Sequence, residues 1–427
     1  MPMTLAYLSV PLVGVIDTAV IGQLGDAALL GGIAVGAIVL GVVFTTFNFL
    51  RSGTTGLTAQ AVGAEDAKEI VAVLARALIV AVLSGLAVVL LQGPLVEAGA
   101  LLMDPGAAVE DAMREYLTIR IWGSPFALVN FALLGWLLGL GRSTVVLAVQ
   151  ATFALLNIVL SLWFVLGLDL GVAGVAWGSV LAEIVTVAIQ IPLILRLAPL
   201  ASRPSRARIL ERRGFSHLLG VNRDIMIRSF SLLFAFAFFT RQGAQFGAVV
   251  LAANAVLMHF FLVGGYFLDG FATAAEQLAG RAVGARFRPA FERVVRLTTL
   301  LGVATALALS GFYFLSGPIV IDLMTTSPEV RSVARQYLLW AVLTPLAGVI
   351  AFQMDGIFIG ATWSRDMRNM MLLSLGVFVL WIFTIGESLG NHGLWAALHI
   401  FLIMRGLSLL SMLPRRVRET FGIEAPR

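Results

Sequence analysis

The sequence predicts an all-α polytopic membrane protein, with twelve transmembrane helices in two parallel-repeat six-helix lobes around a central cavity. Three observations predict this: the composition, the spacing of the apolar runs, and a repeat between the two halves. Of 427 residues, 59% are hydrophobic and 12% are charged, against roughly 45–50% and 25% in soluble globular proteins. So few charges cannot cover a water-facing surface, which excludes a soluble enzyme, a disordered chain and a nucleic-acid binder.

Twelve apolar runs are long enough to cross a hydrocarbon core of ~30 Å as helices, and they are too long for the strands of a membrane barrel. The first run, Met1–Gly22, lacks the basic segment and cleavage site of a signal peptide, so we expect a spanning helix there. The predicted spans are 3–22, 28–50, 70–92, 117–138, 144–167, 171–195, 225–246, 249–275, 297–318, 334–358, 367–386 and 392–413.

A long arginine-rich connection divides the chain near its middle. We therefore expect an N-terminal lobe over 1–198, a basic cytoplasmic linker over 199–224, a C-terminal lobe over 225–414 and a cytoplasmic tail over 415–427. Of the 29 Lys and Arg residues, 24 fall on the connections that share a side with the two termini. Because basic residues concentrate on the cytoplasmic side of membrane proteins, both termini are predicted to be cytoplasmic.

The two halves repeat each other at a constant offset of 221 in the numbering, which becomes 219 near their ends. The pairs include a charged and aromatic match, Arg114-x-Tyr116 with Arg335-x-Tyr337, and a glycine motif, Gly135-x-x-x-Gly139 with Gly356-x-x-x-Gly360. Near the ends, Gly171 and Gly174 match Gly390 and Gly393. Six helices in each half make the repeats parallel, and two such lobes flanking a cavity are a basis for alternating access.

Asp17 is the most informative ionisable residue inside a predicted span. A charge at the bilayer centre costs at least ~2.5–3.5 kcal/mol, so such residues are functional candidates. No Lys or Arg lies within four positions of Asp17 to neutralise it, and burial would favour its protonated form. Pro11 and Gly14 weaken the helix just before it, so protonation can be coupled to bending. The alternative is a wetted carboxylate at the outer helix end, because the helix ends near Gly22.

Asn157 and Ser161 lie four residues apart on the predicted fifth helix and share a face. With Ser179 on the sixth helix they are candidates for a polar patch facing Asp17, which gives four candidate cation-coupling residues. The alternative is ordinary hydrogen bonding between membrane helices. Glu183, also on the sixth helix, is assigned by the same reasoning to helix packing or the cytoplasmic rim.

Asp269, Asp355 and His259 are candidates for a polar site in the C-terminal lobe. Each Asp precedes a glycine inside an apolar run, which weakens a helix. One interpretation is a second cation or substrate site, and the other is a structural role, with either Asp accepting hydrogen bonds from a neighbouring helix. His259 is more typical of an interhelical donor than of a proton relay. The chain has no Cys, and its four His lack paired metal-ligand spacing, so no metal site, cofactor or enzymatic nucleophile is expected.

Several stretches together resemble the multidrug and toxic compound extrusion (MATE) family, in its DinF (DNA-damage-inducible protein F) branch. They include VPLVGVIDTAVIGQLG, LRSGTTGLTAQAVGAED, YFLDGFATAAEQLAGRAVGA and MDGIFIGAT, in consistent order over nearly the whole chain. The resemblance implies two six-helix bundles with a V-shaped cavity. The expected location is the bacterial inner membrane, and the protein is expected to be a monomer. The implied activity is export of small cationic amphiphiles, driven by inward flow of protons or, less simply, of sodium.

Carried over by position, Asp17 looks like the family's first-helix acid, Asn157 like its fifth-helix Asn, and Ser179 like a sixth-helix hydroxyl residue. Ser161 departs from the pattern, because many relatives have Asp there, and the segment before Asp17 is shorter than usual. Two alternative functions remain open: a lipid-linked-precursor flippase, which would favour a cationic cavity, and a channel or interaction protein without coupled transport.

Overall fold

The computed structural model describes residues 26–104, 106–198 and 204–422. Within these ranges all regular secondary structure is helical, which confirms the all-α prediction. The helices before the mid-chain connection are α1 (Ala27–Thr46), α2 (Phe49–Gly63), α3 (Ala67–Leu90), α4 (Gln92–Met103), α5 (Ala107–Arg120), α6 (Ser124–Gly139), α7 (Ser143–Leu162) and α8 (Gly171–Leu197). Those after it are α9 (Arg206–Ile209), α10 (Arg212–Ala244), α11 (Ala248–Gly284), α12 (Arg288–Met324), α13 (Pro328–Gly360), α14 (Ser364–Trp381) and α15 (Gly390–Phe421).

Nine stretches of the described chain are long and apolar enough to cross a membrane, as expected for a multi-pass membrane protein. One of them, Ser364–Phe421, contains both α14 and α15. The first predicted span, 3–22, lies outside the described residues. Several helices are longer than predicted: α12, for example, has 37 residues where the sequence indicated 297–318. Apolar composition marks only the part of a helix inside the hydrocarbon, whereas its hydrogen bonds continue into the polar interface.

The described chain forms two compact units. The N-terminal lobe contains Asp66–Asn222 together with the described part of Pro2–Val62. The C-terminal lobe contains Gly63–Glu65 together with Arg223 and the described residues that follow it. The division falls within α10, because residues 212–224, the second half of the predicted basic linker, form the helical start of that element.

The two lobes repeat the same backbone features at the predicted offsets. Residues with positive φ lie at equivalent positions where helices end or begin, and a short π-helical stretch follows both α7 and α14. The pairs with positive φ are Glu65 with Arg286 and Gly141 with Thr362 at an offset of 221, and Gly171 with Gly390 at 219; the π-helical pair is Trp163–Gly167 with Ile382–Gly386, also at 219. Shared irregular geometry is strong evidence of a repeat, because chance identity among Ala, Gly and Leu does not reproduce it.

The first glycine of the motif makes the same close contact in each lobe. A methyl group added to Gly135 would overlap the carbonyl oxygen of Arg51, and one added to Gly356 would overlap that of Ala272. Arg51 and Ala272 are themselves related by the repeat offset, so α6 packs on α2 as α13 packs on α11. Lipid tails are as apolar as the helices, so membrane helices associate through such close backbone contacts. This packing explains why α13 contains Asp355-Gly356 without interruption.

Replacing Gly356 with Ala is therefore expected to destabilise the C-terminal lobe by about 1–3 kcal/mol, the usual cost of overpacking. The matched control is Gly311→Ala in α12, where the added methyl group meets no atom within 4 Å. That change is expected to be neutral or slightly stabilising, because Ala loses less entropy than Gly in a helix. Thermal unfolding of the purified protein in detergent compares them, and equal midpoints would contradict the close packing.

Charged residues hold the mid-chain connection against the N-terminal lobe. Arg76 is 2% exposed, and its guanidinium donates to the carbonyl oxygens of Ile209 (3.0 Å) and Arg208 (2.7 Å), capping α9. Arg208 pairs in turn with Asp66 at the start of α3. Slight burial of the Asp66 carboxyl favours its protonation, but the Glu69 N–H and the Arg208 guanidinium outweigh this and hold its pKa below the usual value. The ion pair therefore persists at neutral pH and is lost only as the pH falls through that lowered pKa.

Candidate functional site

A cavity of about 440 Å³ lies inside the N-terminal lobe. Five helices, α1 and α5 to α8, contribute its walls. The lining combines aromatic rings with polar groups: Phe44, Phe131, Phe153, Tyr116, Asn48, Asn130, Gln150, Ser179, Arg120 and Glu183. Ligand sites are concave, mostly apolar and equipped with a few placed polar groups, so this cavity has the size and lining of a small-molecule site.

The charged residues of this lining, Arg120 and Glu183, form a buried ion pair. Arg120 Nη2 lies 2.6 Å from Glu183 Oε1, and Nη1 lies 3.1 Å from Oε2, so the contact is bidentate. The residues are 8% and 4% exposed, and the Arg120 guanidinium also lies over the Phe44 ring at 5.5 Å. Because these two charges cancel, the described residues that line the cavity include polar groups but carry no net charge.

This pair was not predicted from the sequence, where Glu183 was assigned to helix packing or the cytoplasmic rim without a partner. A signal was available: both residues lie in predicted spans of the same lobe and carry opposite charges, and charges buried in membranes usually pair with one another. What the sequence lacks is the information that α5 and α8 are neighbours. A second polar pair joins nearby helices, since Gln190 Nε2 donates to Asn130 Oδ1 at 2.8 Å.

The structure brings together the three described candidates for cation coupling. Asn157 Nδ2 donates to Ser179 Oγ at 2.8 Å, which joins α7 to α8. Ser161 is fully buried one turn after Asn157, where Gly178 lets α8 approach its side chain closely. No described residue donates to Asn157 Oδ1, although this oxygen is buried. The patch therefore holds an acceptor that is free for another donor.

Asp17, the fourth candidate, lies outside the described residues. Ser179 is the member of the patch that lines the cavity, together with Glu183 one turn further along α8.

In the C-terminal lobe, Asp355 has two arginine partners that sequence reasoning did not identify. Its carboxylate accepts hydrogen bonds from Arg228 on α10 and from Arg405 on α15, and all three side chains are largely buried. Arg405 also lies over the Phe352 ring, at 5.6 Å. A carboxylate already neutralised by two guanidinium groups does not present the free negative charge that a cation site requires.

The other two candidates of this lobe are placed differently. Asp269 is partly buried on α11 and lies close enough to Arg405 for their charges to interact. His259 lies on an exposed face of the same helix, and its side chain hydrogen-bonds to no residue in the described ranges. The geometry thus joins Asp269 and Asp355 through Arg405 and leaves His259 apart from them.

The described groups at these places can bind a solute through aromatic contacts, hydrogen bonds and charges. In residues 26–104, 106–198 and 204–422, no group of three His, Asp or Glu side chains is arranged to hold a metal ion. The N-terminal cavity offers aromatic faces, hydroxyl and amide groups and one ion pair, a combination that suits an amphiphilic solute.

Comparison with known proteins gives consistent results over the whole chain. The MatE family model matches residues 2–163 and 225–383. DNA damage-inducible protein F of Escherichia coli K12 is 39% identical over 98% of this chain and 91% of its own length. The probable multidrug resistance protein NorM of Deinococcus radiodurans is 28% identical over 98% and 94%.

Solved structures agree on the fold. A MATE protein in the bent conformation aligns with a TM-score of 0.89 at 19% identity, covering 99% of this chain and 95% of that one. An outward-facing multidrug resistance MATE family transporter of the MOP superfamily aligns with a TM-score of 0.86 at 20% identity, covering 98% and 94%. Both solved structures share the two-lobe, all-α fold with this chain.

Proposed function

Because the chain belongs to the MATE transporter family, in its DinF branch, we propose that it is a secondary active multidrug exporter driven by inward proton flow. The observation that carries this proposal is the end-to-end match with proteins of that family, including relatives named for multidrug resistance. The polar, aromatic cavity of the N-terminal lobe supports it, because it offers a solute both apolar surface and hydrogen-bonding groups.

The proposed substrates are small cationic amphiphiles. Phe44, Phe131 and Phe153 line the N-terminal cavity and can stack on aromatic or cationic groups. Arg120 cancels the charge of Glu183, so we assign the attraction for a cation to Asp17 rather than to the described walls. Substrate and proton then compete for the same carboxylate, which is the basis of exchange.

In the proposed cycle, a proton enters from outside, neutralises Asp17 and changes the conformation of the first helix. The bound cation leaves outward, and the lobes return to face the cytoplasm. Asn157 Oδ1, which no described residue contacts, is the proposed acceptor for the protonated carboxyl group. A deprotonated carboxylate cannot donate, so this contact would exist in one protonation state only.

The small number of oxygen atoms available to coordinate a cation favours the proton over sodium as the coupling ion. Sodium needs several oxygens, whereas Ser161 replaces the expected second carboxylate and Ser179 Oγ is already bonded to Asn157 Nδ2. A flippase for lipid-linked precursors is less well supported, because its pyrophosphate would require cationic walls and Arg120 is paired with Glu183. The distribution of Lys and Arg supports cytoplasmic termini, and we assign the protein to a bacterial inner membrane as a monomer.

The test is transport by the reconstituted protein under separately imposed gradients. Ethidium, a permanent cation, is loaded on one side of proteoliposomes, and its flux is followed under a pH gradient or a sodium gradient of equal size. The proposal predicts flux driven by the pH gradient and no stimulation by sodium at uniform pH. Flux driven by sodium alone would overturn proton coupling, and ethidium flux equal to that of empty liposomes under both gradients would overturn the substrate class.

A further inference from the structure

A basic groove in the C-terminal lobe has no role in the transport cycle described above. It has a volume of about 610 Å³ and lies between the start of α12 and the end of α15. Its floor is apolar, built by Phe291, Leu413 and Val417, whereas its rim carries Arg288, Arg296 and Arg418. The groove therefore combines an apolar base with a concentrated positive charge.

The positive charge of the rim is largely uncompensated. Glu292 is the acidic residue of the lining, and it pairs with Arg288 at 2.8 Å. Arg296 and Arg418 are exposed, and neither forms an ion pair with any residue in the described part of the chain. Two guanidinium groups are thus available to an external anion, and each can bind a phosphate group through paired hydrogen bonds.

The groove lies at the membrane interface. A helix of 37 residues such as α12 is about 55 Å long, well beyond a hydrocarbon core of ~30 Å, so its ends reach the lipid headgroups. The groove is formed by the first residues of α12 and the last turns of α15. That end is on the same side as the chain's C-terminus, which the basic residues assign to the cytoplasm.

The equivalent helix of the N-terminal lobe, α3, does not carry two of the rim arginines. At the repeat offset, Arg288 and Arg296 correspond to Ala67 and Ala75. The basic rim is therefore not a requirement of the lobe's fold, since the equivalent helix α3 forms without it.

We propose that this groove binds an anionic phospholipid of the cytoplasmic leaflet. The phosphate would lie between Arg296 and Arg418, and the first methylene groups of the acyl chains would cover Phe291 and Val417. A phospholipid fits the groove in three respects. Its negative headgroup matches the positive rim, its apolar tails match the apolar floor, and its place in the bilayer matches the depth of the groove. Basic pockets between membrane helices on the cytoplasmic side bind such headgroups. The inference goes beyond the proposed transport function and does not depend on the coupling ion.

Native mass spectrometry of the detergent-solubilised protein, titrated with dioleoyl phosphatidylglycerol or dioleoyl phosphatidylcholine, tests this directly. Wild type should retain phosphatidylglycerol in preference to phosphatidylcholine, and the double variant Arg296→Gln/Arg418→Gln should retain roughly tenfold less of it. The matched control, Arg293→Gln/Arg415→Gln, removes the same charge from the same two helices outside the groove lining and should behave as wild type.

Two further measurements test whether binding depends on the positive charge and on the lipid tails. Arg296→Lys/Arg418→Lys should recover most of the retention, which separates loss of charge from loss of folding. Equal retention by the groove variant and wild type would overturn the proposal. So would equal loss in the control pair, or equal displacement of the lipid by sn-glycerol 3-phosphate, which carries the headgroup chemistry without the tails.

Discussion

Replacing Asp17 with Asn is expected to reduce pH-driven export by an order of magnitude or more, while leaving the protein folded. Asn has nearly the same size and, like the protonated carboxyl group, both donates and accepts hydrogen bonds, but it cannot gain or lose a proton. Ionisable residues inside membrane spans are costly and mark proton relays. The other three coupling candidates, Asn157, Ser161 and Ser179, have no carboxylate. Ethidium flux under an imposed pH gradient, normalised to the amount of reconstituted protein, measures the effect.

The matched control is Asp26→Asn at the start of α1. Asp26 caps that helix by accepting a hydrogen bond from the Ala28 N–H at 2.8 Å, and Asn caps helices about equally well. This variant loses the same charge close by in sequence, yet it should transport as wild type does. Undiminished pH-driven export by Asp17→Asn, or an equal loss in Asp26→Asn, would contradict the role given to Asp17.

Breaking the Arg120–Glu183 pair from one side is expected to destabilise the protein by about 3–5 kcal/mol, because the charge that remains is buried and loses this bidentate contact. Glu183→Gln and Arg120→Gln should therefore each lower the midpoint of thermal unfolding substantially. The double variant Arg120→Gln/Glu183→Gln should recover most of the loss, since it removes both buried charges. This recovery distinguishes a charge effect from a simple packing defect.

Arg114→Gln is the matched control for that series. Arg114 lies on the same helix and also contacts carboxylates, Glu97 at 2.6 Å and Glu110 at 2.7 Å, but these pairs are solvated. Exposed pairs contribute little to stability, so the midpoint should move much less than in Glu183→Gln. A double variant no more stable than either single variant would show that the pair is not held together by charge.

The fold was largely predictable because its signals are local or repeated. Apolar runs identify membrane helices from composition alone, and the constant offset between the halves indicated both the number of lobes and their relationship. The structure adds a reason for the glycine motif: Gly135 and Gly356 occupy equivalent close contacts with Arg51 and Ala272. Helix ends were less predictable, because α12 and α15 continue into the interface with polar residues that resemble connections in sequence.

The candidate site was only partly predictable because its contacts join residues far apart in the chain. Asn157 and Ser161 were grouped because four-residue spacing places them on one helix face, and Asn157 contacts the third described member of the patch, Ser179. The partners of Glu183 and Asp355 were not identified, because Arg120 lies 63 residues from Glu183 and Arg228 lies 127 residues from Asp355. Sequence alone reveals that a buried charge needs a partner, but helix packing decides which one it contacts.

The most direct test of coupled antiport is proton movement driven by substrate. Proteoliposomes loaded with tetraphenylphosphonium and a pH-sensitive dye are diluted into substrate-free buffer at equal pH, with the membrane voltage clamped by potassium and valinomycin. As the cation leaves, proton antiport predicts acidification of the lumen in wild type, at a rate independent of sodium, and none in Asp17→Asn. A lumen whose pH stays constant while wild type releases tetraphenylphosphonium faster than protein-free liposomes do would contradict proton coupling.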